Sequence, residues 1–308
     1  MARRRAHGVG VSVCLPAKDV AGTVGPIVEA IRREWMGPRP LADQIVVIDS
    51  GSSDDSAGEA AEAGAEVMRA ADILPDIPPR PGKGEALWKS LAVVTGDLVV
   101  WLDADVHPFD PAFVPELLGP LLHCPGVDYV KGFYRRDLGD RRGDGGRVTE
   151  ICARPLIALA HPEPAGFIQP LAGEAAGRVG LLRQVPFFTG YAVEIGLLVE
   201  LHRRVGLAGL AQVDLGRRGH RHQTTAVLGP MGLEIMRAVL EGTASPAGGA
   251  TFGEPVTFAR PVRRGGAHRM EEVTSALVRR PPLDRVIPPR PAAPEAPLPR
   301  SRPPGGPT

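Results

Sequence analysis

The sequence predicts an α/β protein with a mostly parallel, doubly wound sheet and helices on both faces. Three observations carry that expectation. Short, nearly continuous apolar runs, VGVSVCLPA (9–17), QIVVIDS (44–50) and DLVVWLDAD (97–105), end in small or acidic residues. Strands covered on both faces read this way, whereas a strand with one wet face alternates. Helical patterns separate the runs, at 23–35, 55–64 and 84–95, and alternation of strand and helix builds parallel sheets. The chain has 308 residues, enough for one large α/β domain or two small ones with a sizeable core.

Further elements follow in order. AEVMRA (65–70) reads as a less apolar strand and VDYVKGFY (127–134) as another. GGRVTEICARPLIALA (145–160) is a loop running into a helix. GYAVEIGLLVELHRRVG (190–206) is an amphipathic helix closed by Gly206. AGLAQVDLG (208–216) reads as a strand and TTAVLGPMGLEIMRAVLEG (224–242) as a helix. From Thr243 the chain turns rich in Pro, Gly and Ala, with a weakly patterned helix at 270–279. The proline run after Pro288 cannot build a core and reads as disordered.

Composition narrows the partners. A net charge of +1 gives no reason to expect nucleic acid or a membrane surface. Lysine occurs only at Lys18, Lys83, Lys89 and Lys131, so each stands out against the abundant arginine. Cys14, Cys124 and Cys152 are odd in number, far apart and form no CxxC pair, which fits a reducing compartment without structural zinc. Arg3 to Arg5 resemble the start of a signal peptide, but the next apolar stretch is short and runs straight into Lys18 and Asp19. No segment is long and apolar enough to span a bilayer. The expectation is a soluble cytoplasmic protein.

Ligands of doubly wound sheets bind beyond the carboxyl ends of the strands. Those ends carry Lys18 and Asp19, Asp49 and Ser50, and Asp103 and Asp105. Turn-forming residues explain any one strand end; all three together favour a nucleotide-sized site. Asp103-Ala104-Asp105 places two carboxylates after a buried strand, where they can hold a hard divalent cation that neutralises a diphosphate.

At these residues the sequence resembles a family. LPAKD (15–19), DSGSSDDS (49–56), RPGKGEALWKSL (80–91), LDADVHP (102–108), KGFYRR (131–136), GGRVTE (145–150), QPLAGE (169–174), GYAVEIGLL (190–198) and QVDLGRRGHRH (212–222) follow one another in order. Together they resemble the glucosyl-3-phosphoglycerate synthases, retaining glycosyltransferases of the Rossmann-like GT-A fold, with mannosyl-3-phosphoglycerate synthase a close relative. The resemblance covers roughly residues 9 to 242.

The resemblance implies a nucleotide-sugar-binding part over 1–135 and an acceptor-binding, metal-completing part over 136–242. A C-terminal extension (243–288) and a Pro-rich tail (289–308) follow. Pro16, Ala17, Lys18 and Asp19 would line the nucleoside pocket, with Asp49 and Ser50 near base and ribose. Asp19 as a helix cap is the alternative reading. Lys83, in a glycine-flanked loop that lets backbone approach a ligand, would contact the nucleotide; the loop lacks the spacing of a Walker A motif. Asp105 would ligate Mg2+ or Mn2+ together with His220; Asp103 would bond the ribose or support the metal, and Ala104 would meet the donor through its backbone amide. Arg218, within a dense run of Arg and His, would stabilise the leaving diphosphate. Gly146, Arg147, Thr149 and His222 would hold 3-phosphoglycerate; a glycine amide, an arginine fork and a hydroxyl at a helix start suit an anion. Leu171, Ala172 and Gly173 would shape the sugar pocket near Glu174, and Tyr191 and Glu194 would meet sugar hydroxyls. Glu194 sits beside an apolar face and needs a partner; a sugar hydroxyl or Arg154 are the candidates.

No residue must be a nucleophile, and the implied route is front-face attack with retention. Asp105, Arg218 and Glu194 form the implied catalytic set. Three competitors stand beside it: the mannosyl enzyme with a GDP donor, an inverting GT-A transferase, and a nucleotide-sugar-binding protein without turnover. Val20, Ala104 and His222 depart from the family pattern. A homodimer is expected, with the helices at 190–206 and 226–240 as candidate contacts or as core.

Overall fold

The computed structural model describes residues 8–37, 40–135, 146–217, 225–242, 255–265, 267–275 and 277–288. Its centre is a seven-stranded sheet in the order β3-β2-β1-β4-β6-β5-β8. The strands are β1 (Val11–Ala17), β2 (Gln44–Asp49), β3 (Glu66–Arg69), β4 (Leu98–Trp101), β5 (Tyr129–Arg135), β6 (Ala175–Arg178) and β8 (Leu210–Arg217). All are mutually parallel except β6, which runs antiparallel to β4 and β5. The chain winds outward through β1, β2 and β3, then crosses to place β4 on the other side of β1. The switch point between β1 and β4 is where such sheets open a crevice.

Alternation of side chains along the strands sorts the core onto two faces. Val11, Val13 and Leu15 with Val47 and Val100 pack against α1 (Val24–Trp35) and α4 (Phe113–His123). Cys14, Val46, Ile48, Val99 and Trp101 pack against α3 (Lys83–Val93) and α7 (Val193–Val205). Helix α2 (Ser56–Glu62) joins β2 to β3, and the one-turn α6 (Val179–Leu182) follows β6. A third cluster lies outside the sheet. It joins Ala153 and Ile157, around the start of α5 (Arg154–Ala160), to Ala192 and Ile195 at the start of α7 and Ile235 and Val239 of α8 (Thr225–Gly242).

The structure corrects the sequence reading in three places and decides one open alternative. The expected helix at 270–279 is strand β10 (Ala267–Ser275), paired antiparallel with β9 (Val256–Arg264). Cross-strand partners explain the preference: Glu271 lies opposite Arg260 and binds it at 3.0 Å, and the Thr257 and Thr274 hydroxyls meet at 2.9 Å. Strand β4 stops at Trp101, so Asp103 and Asp105 lie in a turn rather than on extended chain. Helix α4 and strand β6 add elements that the sequence pattern does not reveal. The helix at 190–206 is core: α7 buries Val193, Ile195, Leu197, Leu198, Val199 and Leu201. Residues 289–308, expected to be disordered, lie outside the described residues.

The chain beyond the hairpin returns to the main body. β11 (Arg279–Arg280) pairs antiparallel with β7 (Phe187–Phe188), and Leu283 is fully buried in the α3–α7 core.

Candidate active site

The carboxyl end of β4 delivers two carboxylates into different surroundings. Asp105 is exposed, Asp103 is half-buried, and Ala104 between them is buried. The Ala104 carbonyl accepts a hydrogen bond from the Thr23 hydroxyl at 2.8 Å, which ties the turn to the start of α1.

Lys83 is the first residue of α3. Gly82 has φ +109°, a left-handed conformation that favours glycine. A Cβ at Gly82 or Gly84 would run into the backbone of Phe188 to Gly190, so both glycines let the helix start seat against that segment. The seat is hydrogen-bonded: Glu85 N donates to the Thr189 carbonyl at 3.2 Å. From there the Lys83 ammonium bonds Asp103 Oδ1 and lies 2.9 Å from Glu194 Oε1, in the first turn of α7. Three elements thus converge on one charge. Burial alone would push the Lys83 pKa down; the Asp103 and Glu194 carboxylates outweigh it and hold it above the usual lysine range. The partner of Glu194 is therefore Lys83. Arg154 is committed elsewhere: it binds Glu150 through two 2.9 Å contacts and the carbonyls of Ala165, Phe167 and Ile168.

Gly173 lies directly over this ion pair. A Cβ there would overlap the Lys83 ammonium and both Asp103 oxygens, so the glycine of QPLAGE lets backbone pass where no side chain fits. Beneath the same loop sits Lys131, 1% exposed, whose ammonium donates to the Ala172 carbonyl at 2.6 Å. Burial drives its pKa down to about 8, with Glu194 opposing and Lys83 reinforcing the shift. Sequence reasoning passes over Lys131 as a site residue. Its signal was present: a scarce lysine inside an apolar strand. Leu171 is partly buried, and Ala172 and Glu174 are buried.

At the neighbouring end of β1 the loops clasp each other. Ser50 N donates to the Ala17 carbonyl at 2.9 Å, and the Lys18 ammonium reaches the Gly51 carbonyl. Pro16 is partly buried and Ala17 buried. Asp19 adopts φ +51°, and its Oδ1 accepts from Ser53 N at 2.7 Å and Ser53 Oγ at 2.9 Å, bonds that hold its pKa below the usual carboxylate value. Asp19 is not the helix cap: Thr23 holds that position. Asp49 accepts from Gly51 N and Ser52 N. Tyr191, next to the Gly190 that packs on Gly82, is 55% exposed, and its backbone N–H donates to Glu234 at 2.8 Å.

Gly146 (φ +88°) opens the segment expected to hold the acceptor, and its carbonyl accepts from Glu150 N at 3.2 Å. Arg147 is half-buried and Thr149 is 5% exposed. Thr149–Ala153 forms a π-helical turn continuous with α5, and such turns concentrate at functional sites. The third core cluster joins this segment to the first turn of α7. Arg218, His220 and His222 lie outside the described residues.

Among the described residues no group of three or more His, Cys, Asp or Glu side chains is placed to hold a metal ion. Asp105 nevertheless fits a hard cation in kind: an exposed carboxylate oxygen donor at the open edge of the sheet. His220, the other expected ligand, lies outside the described residues.

Residues 12–165 match the family model described as glycosyl transferase family 2. The chain is 49% identical over 237 residues to the glucosyl-3-phosphoglycerate synthase of Mycolicibacterium smegmatis, covering 76% of this chain and 77% of that protein. It is similar to the crystal structure of glucosyl-3-phosphoglycerate synthase from Mycobacterium tuberculosis in complex with Mn2+, uridine diphosphate and glucosyl-3-phosphoglycerate. There the TM-score is 0.81 at 39% identity, covering 92% of this chain and 94% of that one. That enzyme has also been solved with Mg2+ and uridine diphosphate, and with Mn2+, UDP-glucose and phosphoglyceric acid. The chain is also similar to mannosyl-3-phosphoglycerate synthase from Rubrobacter xylanophilus, with TM-score 0.83, 41% identity, and coverage of 93% of this chain and 91% of that one.

Proposed function

The chain belongs to glycosyl transferase family 2 and to its glucosyl-3-phosphoglycerate synthases, and from that premise we propose the reaction and its residues. It is a hexosyltransferase that moves glucose from a nucleoside diphosphate glucose, UDP-glucose foremost, to the 2-hydroxyl of 3-phosphoglycerate. Transfer retains the anomeric configuration. One observation carries the reading: the Lys83 ammonium, held between Asp103 and Glu194 beneath Gly173, at the switch point of the sheet.

An ammonium carries three N–H donors, and Asp103 and Glu194 engage two. The third serves the donor. Glu194 keeps one carboxylate oxygen on Lys83 and offers the other to sugar hydroxyls. Gly173 lets the sugar lie close to this pair. Ala17, Lys18, Asp19 and Ser50 receive the nucleoside at the end of β1. Arg147 and Thr149, with the Gly146 amide and His222, bind the anionic acceptor, and Tyr191 closes the sugar side. Asp105 and His220 would hold Mg2+ or Mn2+, whose charge stabilises a leaving diphosphate. Arg218 adds to that stabilisation. No base is assigned to the acceptor among the described residues, and the leaving phosphate oxygen takes the proton of the attacking hydroxyl from the same face.

The likeness to the mannosyl enzyme supports a second reading, transfer of mannose from GDP-mannose to the same acceptor. Initial rates with UDP-glucose and GDP-mannose at equal concentration separate the two. Faster transfer from UDP-glucose is expected, and preference for GDP-mannose would replace the glucosyl reading. The proposal includes a cytoplasmic homodimer. No helix of the described residues is long and apolar enough to cross a membrane.

A further inference from the structure

The helix that carries Lys83 is held by the far end of the chain, well beyond residue 165 where the family match stops. Glu85, two residues after Lys83, has a side chain only 2% exposed. It receives both arms of Arg280, Nε to Oε2 and Nη2 to Oε1, each at 2.7 Å. Arg280 Nη2 also donates to the Pro78 carbonyl at 2.6 Å, and the guanidinium carbon lies 5.3 Å from the centroid of Trp88. Trp88 Nε1 donates in turn to the carbonyl of Pro281 at 2.9 Å. Glu85 and Trp88 belong to the PGKGEALW motif yet have no part in the proposed ligand contacts. Both seat the C-terminal segment 277–288, a strap across the helix.

The strap grips the other side of the Lys83 seat as well. Thr189 N donates to the Val278 carbonyl at 2.9 Å, and Val278 N returns a bond to Thr189 Oγ1 at 3.1 Å. Thr189 is the residue whose carbonyl takes the Glu85 amide. The first turn of α3 has no side-chain cap of its own, since Gly82 stands in the cap position. A planar, two-pronged arginine–carboxylate bond fixes direction as well as charge. An apolar pair would hold the helix as firmly without the cost of burying two ions. The bond earns its place where orientation matters, and here the start of α3 must aim an ammonium between carboxylates on two other elements.

We infer that Arg280 is a positioning residue for the donor site: through Glu85 it fixes the start of α3, and with it the Lys83 ammonium. This rests on the reading of Lys83 as a donor contact. The test is steady-state kinetics of the full chain with UDP-glucose, 3-phosphoglycerate and Mg2+, alongside calorimetric binding of uridine diphosphate. Arg280→Ala should raise the donor KM about tenfold and weaken uridine diphosphate binding in parallel, while the acceptor KM moves less than about twofold. Arg280→Lys, which keeps the charge but loses the fork, should fall between. Where Arg280→Ala does not fold, the double variant Glu85→Gln with Arg280→Met removes the clamp and both of its charges, leaving the buried Lys89 ammonium, 3.8 Å from Glu85 Oε1 in the wild type, on the Ala70 carbonyl, and the same split is expected. A variant that melts earlier but keeps wild-type donor and acceptor KM would overturn the inference, because a purely structural bond behaves that way. Absence of wild-type turnover would overturn the donor reading and this inference together; wild-type turnover with an unchanged donor KM in the variants would overturn this inference alone.

Discussion

Lys83, Asp103 and Glu194 are far apart in sequence, and their convergence explains why each is polar. Removing the ammonium takes from both carboxylates the one cation that bonds them together. Lys83→Gln should therefore lower kcat/KM for the donor by about a hundredfold or more; a loss under about threefold would show that the charge is dispensable. Gly173→Ala should raise the donor KM, because its Cβ overlaps the ion pair; unchanged kinetics would mean the loop yields freely. Lys131 makes a prediction in pH. Below about pH 8 it is protonated in folded and unfolded chains alike. Between there and the ordinary lysine value of 10.5 the folded chain has released a proton that the unfolded chain keeps, so stability rises with pH. This one group contributes at most about 1.4 kcal/mol per pH unit in that window. Lys83, with its pKa raised, is protonated in both states across the same window and adds no slope. Urea unfolding at about pH 7.5 and about pH 9.5 should show wild type gaining stability relative to Lys131→Met; parallel changes in both proteins would contradict it. The sequence offered Lys83 through its glycines and Asp103 through its strand. It could not offer the Lys83–Glu194 bond, which exists only once α3 and α7 lie side by side.

At the scale of elements, the apolar strands were legible because burial on both faces leaves an unbroken hydrophobic run. β6 was not, since Ala175, Ala176 and Gly177 carry no strand signal and are placed by the neighbours they join. Pro115, Gly119 and Pro120 hid helix α4. Met270, Val273 and Leu277 fall at helical spacing, while Pro261 disguised the strand that pairs with β10. The strap from Leu277 to Pro288 was unreadable for a different reason: its partners are Trp88, Glu85 and Arg183, far up the chain. Its contribution to stability is testable apart from any catalytic role. Leu283 is fully buried against the α3–α7 core, and Leu283→Ala should cost about 2–5 kcal/mol in urea unfolding. A cost below about 0.5 kcal/mol would mean that the strap is loosely held.

Across the whole molecule, one edge of one sheet gathers the chemistry. The carboxyl ends of β1 and β4 flank the switch point, and the α7 core brings Glu194 to the same edge. The proposed homodimer would need exposed apolar side chains, and α7 buries most of its own. Ile151 is 78% exposed and Leu159 85%, on the π-helical turn and α5. The wild type should sediment at twice its 32.6 kDa mass, and Ile151→Glu with Leu159→Glu should return it to monomer; a monomeric wild type would contradict the dimer. Activity is the more direct test of the molecule as a transferase. The decisive measurement is product formation from 3-phosphoglycerate, Mg2+ and a panel of nucleotide sugars, with chelation of the metal as control. Glucosyl-3-phosphoglycerate should form fastest from UDP-glucose and vanish on chelation; folded protein that yields no glycosylated phosphoglycerate from any donor would contradict it.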